Sequence, residues 1–364
     1  MRTTGEERPG AVLEVVLGVD THLDVHVAVA LDHLGRRLGV LTLPTSTKGY
    51  EELLSWAEGL GLLRCAGVEG TSSYGAGLAR HLKSKGIEVL EVERPKRRQQ
   101  QGLRRNGKSD HADAEAAARA VLAGEAAGMP KSADGEVEMI RVLRATRRAA
   151  VKARTQAANQ LRNLLVTAPD GLRQPLRGLS TKALVATAIR FRPGDRPGNP
   201  QEATRFALRS MARRYRSLSE EIAELDIQLA RLVAEVAPEL VALPGVGTDH
   251  AATLLVAVGD NPKRLKSEAS FASLCGVSPI EASSGKVVRH RLNRGGNRDA
   301  NRALHTICMF RMGRDRRTQA YVARRTAEGK SKREKIIRCL KRYVAREVYR
   351  VLNSGAPSPL PRGS

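Results

Sequence analysis

The sequence predicts an α/β domain followed by an all-α remainder. Three observations carry that expectation. Up to Val92, β-prone runs come first in series and then alternate with helical ones. Residues 135–238 hold two long stretches of helical periodicity on either side of a Pro/Gly break, FRPGDRPGNP at 191–200. Beyond 239, glycine-rich turns separate basic helical segments. The expected divisions are 11–130, 135–238 and 239–352, with a Pro/Gly/Ser-rich tail at 353–364 that lacks the apolar content to order itself.

Residues 1–10 read as a disordered lead. Val12–Val19, Val25–Leu31 and Leu38–Leu43 are strand candidates with short polar connections, the pattern of an antiparallel meander. The rhythm then changes. Thr47–Gly59 reads as a helix, Cys65–Val68 as a short buried strand, Tyr74–Lys85 as a helix and Ile87–Val92 as a strand. The alanine-rich run Ala112–Leu122 favours a helix opening at Asp110. Strands alternating with helices imply parallel crossovers. Three meander strands followed by helix, strand, helix, strand, helix is the order of a ribonuclease H-like fold.

Acids fall at telling places on that plan. Asp20 ends the first strand and Glu69 follows the fourth. Asp110 and Asp113, in GKSDHADA, are three apart in the first turn of the last helix and share a face. Acids there can simply complement the positive end of the helix dipole, and Asp20 and Glu69 can be a strand-end cap and a surface acid. In open α/β sheets, however, ligands collect at the carboxyl ends of strands. Four carboxylates converging there repel one another unless cations lie among them. An all-oxygen set suits Mg²⁺ or Mn²⁺, and two such ions can clamp the attacking and leaving oxygens of a phosphodiester. The basic connection 94–108, RPKRRQQQGLRRNGK, brings Arg104, Arg105 and Lys108 up to that helix. It reads as an exposed loop or as a phosphate-contacting one.

In the middle region an arginine-rich helix is expected over Val137–Val166. Leu218, Ile222, Leu225, Leu229, Leu232 and Val236 are spaced 4, 3, 4, 3 and 4, a heptad seam. Both an antiparallel coiled-coil hairpin and a plain helical bundle satisfy that pattern. LPGVG at Leu243–Gly247, between helical stretches, describes a helix-hairpin-helix, in which Gly245 and Gly247 would let backbone N–H groups reach a phosphate. An ordinary helical turn is the alternative. Ser283 and Ser284 then sit in a loop flanked by Lys286, Arg289, Arg291, Arg294, Asn297 and Arg298. A serine there can bind phosphate as a neutral donor, or attack phosphorus if it is activated and the transition-state charge is stabilised.

Composition narrows the partner class. The chain has 364 residues and a formal net charge of +24, the balance of a polyanion binder, nucleic acid above all. Residues 286–350 hold 21 Lys and Arg against 5 Asp and Glu, most of the excess. Aromatic residues make up 3%, which argues against base-stacking platforms and for contact through phosphates and helix ends. Four scattered cysteines show no zinc spacing and read as reduced thiols of a cytosolic protein. No apolar run approaches the roughly 20 residues that span a membrane, and the polar N-terminus is not a signal peptide.

Taken together, GVDTH at 18–22, VEGTSSYG at 68–75, GKSDHADA at 107–114, LPGVG at 243–247, and SSGK with GGNRDANRAL within 283–304 resemble the DEDD transposases of bacterial insertion sequences, known as bridge-RNA-guided serine recombinases. The resemblance spans nearly all of residues 12–352. Two positions depart from the usual pattern: Leu23 stands where the family often has Lys, and Ser72 where it often has Gly. The resemblance implies a Holliday-junction-resolvase-like domain with Asp20, Glu69, Asp110 and Asp113 as metal-binding catalytic acids. It also implies a C-terminal domain with a catalytic serine, Ser284 or the neighbouring Ser283, forming a covalent phosphoserine link to DNA. It further implies composite sites in a homo-oligomer, dimer or tetramer, and a noncoding guide RNA that pairs with donor and target DNA.

Overall fold

The computed structural model describes residues 13–92, 109–126, 128–194, 197–283, 287, 289–329 and 333–354. The lead at 1–10, the basic connection 94–108 and the tail beyond Ser354 lie outside the described residues. The chain divides into two compact units. The first comprises residues up to Gly135 plus Val258–Lys266, and the second Glu136–Ala257 plus the chain from Ser267 on.

The first unit is a mixed five-stranded sheet in the order β3-β2-β1-β4-β5. The strands are β1 (Glu14–Thr21), β2 (Val25–Asp32), β3 (Arg37–Pro44), β4 (Leu62–Glu69) and β5 (Glu88–Val92). The meander β1-β2-β3 is antiparallel, whereas β4 joins β1, and β5 joins β4, in parallel. Short connections allow the first arrangement; the helical crossovers α1 (Thr47–Leu60) and α2 (Ala76–Ser84) produce the second. Both helices cover one face, where Val15, Leu17, Val19, Ala28, Ala30, Ala66 and Val68 pack against Leu53, Ala57, Leu78 and Leu82.

The other face is covered by α3 (Asp110–Leu122). Ser109 caps it, its hydroxyl accepting from the Ala112 N–H at 3.2 Å. The buried stripe of α3 is only alanine deep, Ala114, Ala117 and Ala118, and the strands answer with glycines. A Cβ on Gly18 would come within 2.1 Å of the Ala114 carbonyl oxygen, and one on Gly67 within 2.5 Å of Val121 Cγ2. Small residues on both sides let helix and sheet approach closely. This fixes where the first turn of α3 lies along the strands.

The segment 258–266 closes the same unit. Asn261 accepts the Ser132 N–H at 3.2 Å through Oδ1 and donates to the Pro130 carbonyl at 2.9 Å through Nδ2.

The second unit is mostly helical. Its longest helices are α4 (Glu136–Val166) and α7 (Pro200–Val236), about 46 and 55 Å at 1.5 Å per residue. Arg147 pairs with Asp226, and Arg154 lies over the Tyr215 ring at 5.9 Å. One number rises as the other falls, so the helices run antiparallel. Every position of the heptad series, from Leu218 to Val236, is buried or half-buried. At one end α5 (Asp170–Leu176) and α6 (Thr181–Ile189) close a core of Leu161, Leu172, Leu176, Leu184, Leu208 and Ala212.

Further on come α8 (Pro238–Ala242), α9 (Thr248–Val258), α10 (Glu268–Leu274), α11 (Arg298–Arg314), α12 (Arg316–Ala327) and α13 (Arg333–Ser354). A two-stranded ribbon, β6 (Pro279–Glu281) with β7 (His290–Leu292), interrupts them. The sequence gives no alternating signal for strands of three residues.

Among the described residues, no helix is long and apolar enough to cross a membrane.

Candidate functional site

Strand register brings the first acids together. Val19 pairs with Val68 across the parallel β1-β4 ladder, so Asp20 and Glu69 occupy the next step, side by side at the carboxyl ends. Alternation along a strand puts Asp20 on the face of Gly18 and Glu69 on the face of Gly67, the face covered by α3. Both are buried, at 3% and 7% exposure. The Thr21 hydroxyl donates to the Glu69 carbonyl at 3.0 Å and ties the two strand ends.

The helix pair is delivered by the same packing. Asp110, Ala114 and Ala118 form one i, i+4 row, and Asp113, Ala117 and Val121 the row beside it. Ala114 and Ala118 lie on Gly18 in β1, while Ala117 and Val121 lie on Gly67 in β4. Each row therefore begins with an aspartate at the carboxyl end of its strand. Asp110 reaches the Asp20 side chain's neighbourhood by this route.

Between them stands a residue that the sequence reading passed over. His22 Nε2 is 3.2 Å from Asp20 Oδ2 and 3.4 Å from Asp110 Oδ2. Among the described residues, Asp20, His22 and Asp110 form a group whose ligand atoms all lie within 4.8 Å of one another. Glu69 and Asp113 are not members of this group. The available signal was spacing: His22 is two residues beyond Asp20 at a strand end, hence on the same side of the sheet. The donor chemistry, two carboxylates and an imidazole, fits a divalent cation.

The basic elements of the second unit are distributed differently. Ser283 is exposed, and its Oγ accepts the Arg289 N–H at 3.3 Å. Ser284 and Lys286 lie outside the described residues, as do Arg104, Arg105 and Lys108. Arg289, Arg291, Arg294 and Arg298 are exposed. Asn297 is the N-cap of α11, its Oδ1 accepting from the Asp299 and Ala300 N–H groups at 3.0 Å. Gly245 has φ +78°, a left-handed conformation that favours glycine, and Phe310 packs on it so closely that a Cβ would meet the ring at 2.8 Å. Gly247 is exposed with open space around it.

A mixed α/β sheet with a carboxylate–imidazole–carboxylate group at its parallel strand ends, followed by a basic helical unit, is an arrangement that could hold a divalent cation. Comparison with known proteins makes the class specific. Residues 17–168 match the family model of the DEDD transposase of IS110 type, described as "Transposase", and residues 237–323 match "Transposase IS116/IS110/IS902 family". The chain belongs to the IS110 family of transposases.

Two curated relatives are similar to it. An "Insertion element IS110 uncharacterized 43.6 kDa protein" of Streptomyces coelicolor is 30% identical over 159 residues, 42% of this chain and 39% of that protein. A "Putative transposase y4pF/y4sB" of Sinorhizobium fredii is 29% identical over 263 residues, 69% of this chain and 64% of that protein. The match thus spans less than two thirds of either relative.

Proposed function

We propose that the chain is a DNA transposase, a site-specific recombinase that moves its own insertion element. The observation that carries this reading is the convergence of Asp20 and Asp110, from β1 and α3, in a chain that matches both family models in order. The strand order supports a ribonuclease H-like reading of 11–130. The antiparallel pair α4 and α7 supports a coiled-coil reading of 135–238, and the turn at Gly245 a helix-hairpin-helix opening the C-terminal domain, 239–352.

In this reading Asp20, Glu69, Asp110 and Asp113 hold Mg²⁺ or Mn²⁺. When bound, the cation supplies positive charge for a phosphate's developing negative charge. The residues themselves orient it: Asp20 and Glu69 from buried strand ends, Asp110 and Asp113 from a helix locked to the sheet by Gly18 and Gly67. Ser284, or Ser283 beside it, attacks phosphorus. The Oγ–P bond forms, one phosphodiester P–O bond breaks, the hydroxyl proton passes to a base and the leaving oxygen takes up a proton.

Arg289, Arg291, Arg294 and Arg298, with Lys286, Asn297, Gly245, Gly247, Arg104, Arg105 and Lys108, hold nucleic-acid backbones. The partners are donor and target DNA and a noncoding guide RNA, with base pairing reading sequence while the protein reads shape and charge. The working form is a homo-oligomer.

The test combines purified protein, the element's flanking noncoding RNA, labelled donor and target DNA, and Mg²⁺. An RNA-dependent protein–DNA adduct that survives denaturation, and that Ser284→Ala alone abolishes, is the expected result. Cleaved ends without an adduct, indifferent to Ser284→Ala and Ser283→Ala but lost in Asp110→Ala, would replace the serine with water as the nucleophile.

A further inference from the structure

We infer that His22 is a cation ligand of the acidic centre, and that it biases the centre from Mg²⁺ toward transition-metal ions such as Mn²⁺ and Co²⁺. The inference rests on the metal reading above and goes beyond its four acids.

The geometry suits a shared ion. Ligand atoms about 2.1 Å from one cation lie about 3.0 Å apart along an octahedral edge and about 3.4 Å apart along a tetrahedral one. The imidazole nitrogen of His22 lies 3.2 Å from Asp20 Oδ2 and 3.4 Å from Asp110 Oδ2. These are the separations of adjacent ligands on a shared ion. The three atoms also come from three different settings: a buried strand end, the residue just past that strand, and the capped first turn of α3. Asp20 pairs with Val27 in the β1-β2 ladder, one residue past the Val19–Val68 pair of the β1-β4 ladder, and the His22 N–H donates to the Val25 carbonyl at 3.2 Å, closing the β1-β2 turn. The backbone therefore presents the imidazole without a loop having to order first.

The chemistry follows from the donor set. Mg²⁺ is a hard ion that keeps several waters and uses few protein carboxylates, completing its shell with substrate phosphates. Imidazole suits later first-row ions, and affinity at mixed N/O sites rises along the Mn²⁺ to Cu²⁺ series. With three protein ligands in place, a transition-metal ion needs no nucleic acid to be retained. Mg²⁺, in contrast, would depend on phosphate for much of its hold.

Mn²⁺ binding to the purified full chain, without DNA or RNA, tests this directly. Electron spin-echo spectra should show modulation from a coordinated imidazole nitrogen. His22→Ala should remove that modulation and weaken Mn²⁺ binding tenfold or more, while Mg²⁺ affinity shifts less than threefold. His22→Gln provides a second variant, and an unchanged urea midpoint for both variants separates ligand loss from misfolding.

If His22→Ala binds Mn²⁺ as wild type does, with no nitrogen modulation in either, while Asp20→Asn abolishes binding, the inference is overturned and the acidic metal centre stands. If wild type itself holds no Mn²⁺ in the absence of nucleic acid, the inference is also overturned. The metal reading then fails as well only if adduct formation proceeds undiminished in EDTA.

Discussion

Gly18 of β1 and Ala114 of α3 meet backbone to backbone. A methyl group at position 18 would lie 2.1 Å from the Ala114 carbonyl oxygen and 2.3 Å from the Ala118 nitrogen. Neither obstacle is a flexible side-chain end, so α3 itself would have to move. Overpacking a core typically costs about 1–3 kcal/mol, and Gly18→Ala is expected at or above the top of that range in urea unfolding. It should also weaken Mn²⁺ binding with every ligand still present, because Asp110 shifts with the helix. A variant that retains wild-type stability would show that α3 is not seated by this contact.

The turn after β2 carries a pH dependence. Asp32 is fully buried, and burial alone would raise its pKa. Hydrogen bonds from the Arg36 N–H at 2.8 Å, the Arg36 guanidinium at 2.6 Å and the Leu34 N–H at 3.0 Å outweigh it, and the carboxyl is held below its ordinary value of 3.8. Folding therefore favours the ionised form. The stabilisation is complete above the ordinary value and is lost as pH falls through the lower, folded one. The stability gap between wild type and Asp32→Asn should be constant from pH 7 to about pH 5 and shrink at more acid pH. A gap unchanged down to the acid limit would refute this.

Arg311 belongs to the most basic stretch of the chain, yet it is an internal strut. It is 4% exposed; its Nη1 donates to Glu347 Oε2 at 2.5 Å and its Nε to the Pro244 carbonyl at 2.7 Å. Arg311→Ala strands Glu347 and is expected to cost about 3–5 kcal/mol. The double change Arg311→Met with Glu347→Met should recover much of that loss, because no lone charge is left behind. Equal instability of the single and double variants, by denaturant titration, would assign the loss to packing.

Thiol reactivity should divide the cysteines. Burial pushes Cys275 and Cys308 up to about 12, where thiolate is scarce at neutral pH. Cys65, half-buried, is also raised, by burial and then by Glu88. Cys339 is exposed. A disulfide reagent at pH 8 should therefore label Cys339 first, Cys65 slowly, and Cys275 and Cys308 only after unfolding. Early labelling of Cys275 would contradict its placement.

The sheet was legible because meander strands and crossover helices obey short-range rules of periodicity and turn chemistry. Asp20 and Asp110 were legible for the same reason: strand ends and helix starts are local events. His22 was not, since a histidine beyond a strand is ordinarily just a turn residue. Only the seating of α3 on Gly18 and Gly67 makes it a neighbour of Asp110. Charge counting could place the basic region but not sort its members. Arg311 pairs with Glu347, and Arg342 and Arg346 share Glu268. Nothing in a charge tally distinguishes them from the exposed Arg291 or Arg294. The return of 258–266 to the first unit depends on Asn261 and Pro130, far apart in sequence, and no local pattern announces it.

That return has an evolutionary consequence. The chain leaves the first unit after Gly135 and re-enters it at Val258, and Asn261 binds the backbone of 130–132 at the point of departure. Exit and entry are thus fastened to each other rather than held apart by what lies between. Because loop-closure entropy grows only slowly with length, the helical excursion can gain or lose whole turns while the sheet of the first unit is left undisturbed. Descendants of such a chain can vary the reach of α4 and α7 by insertion and deletion while inheriting an unchanged acidic centre.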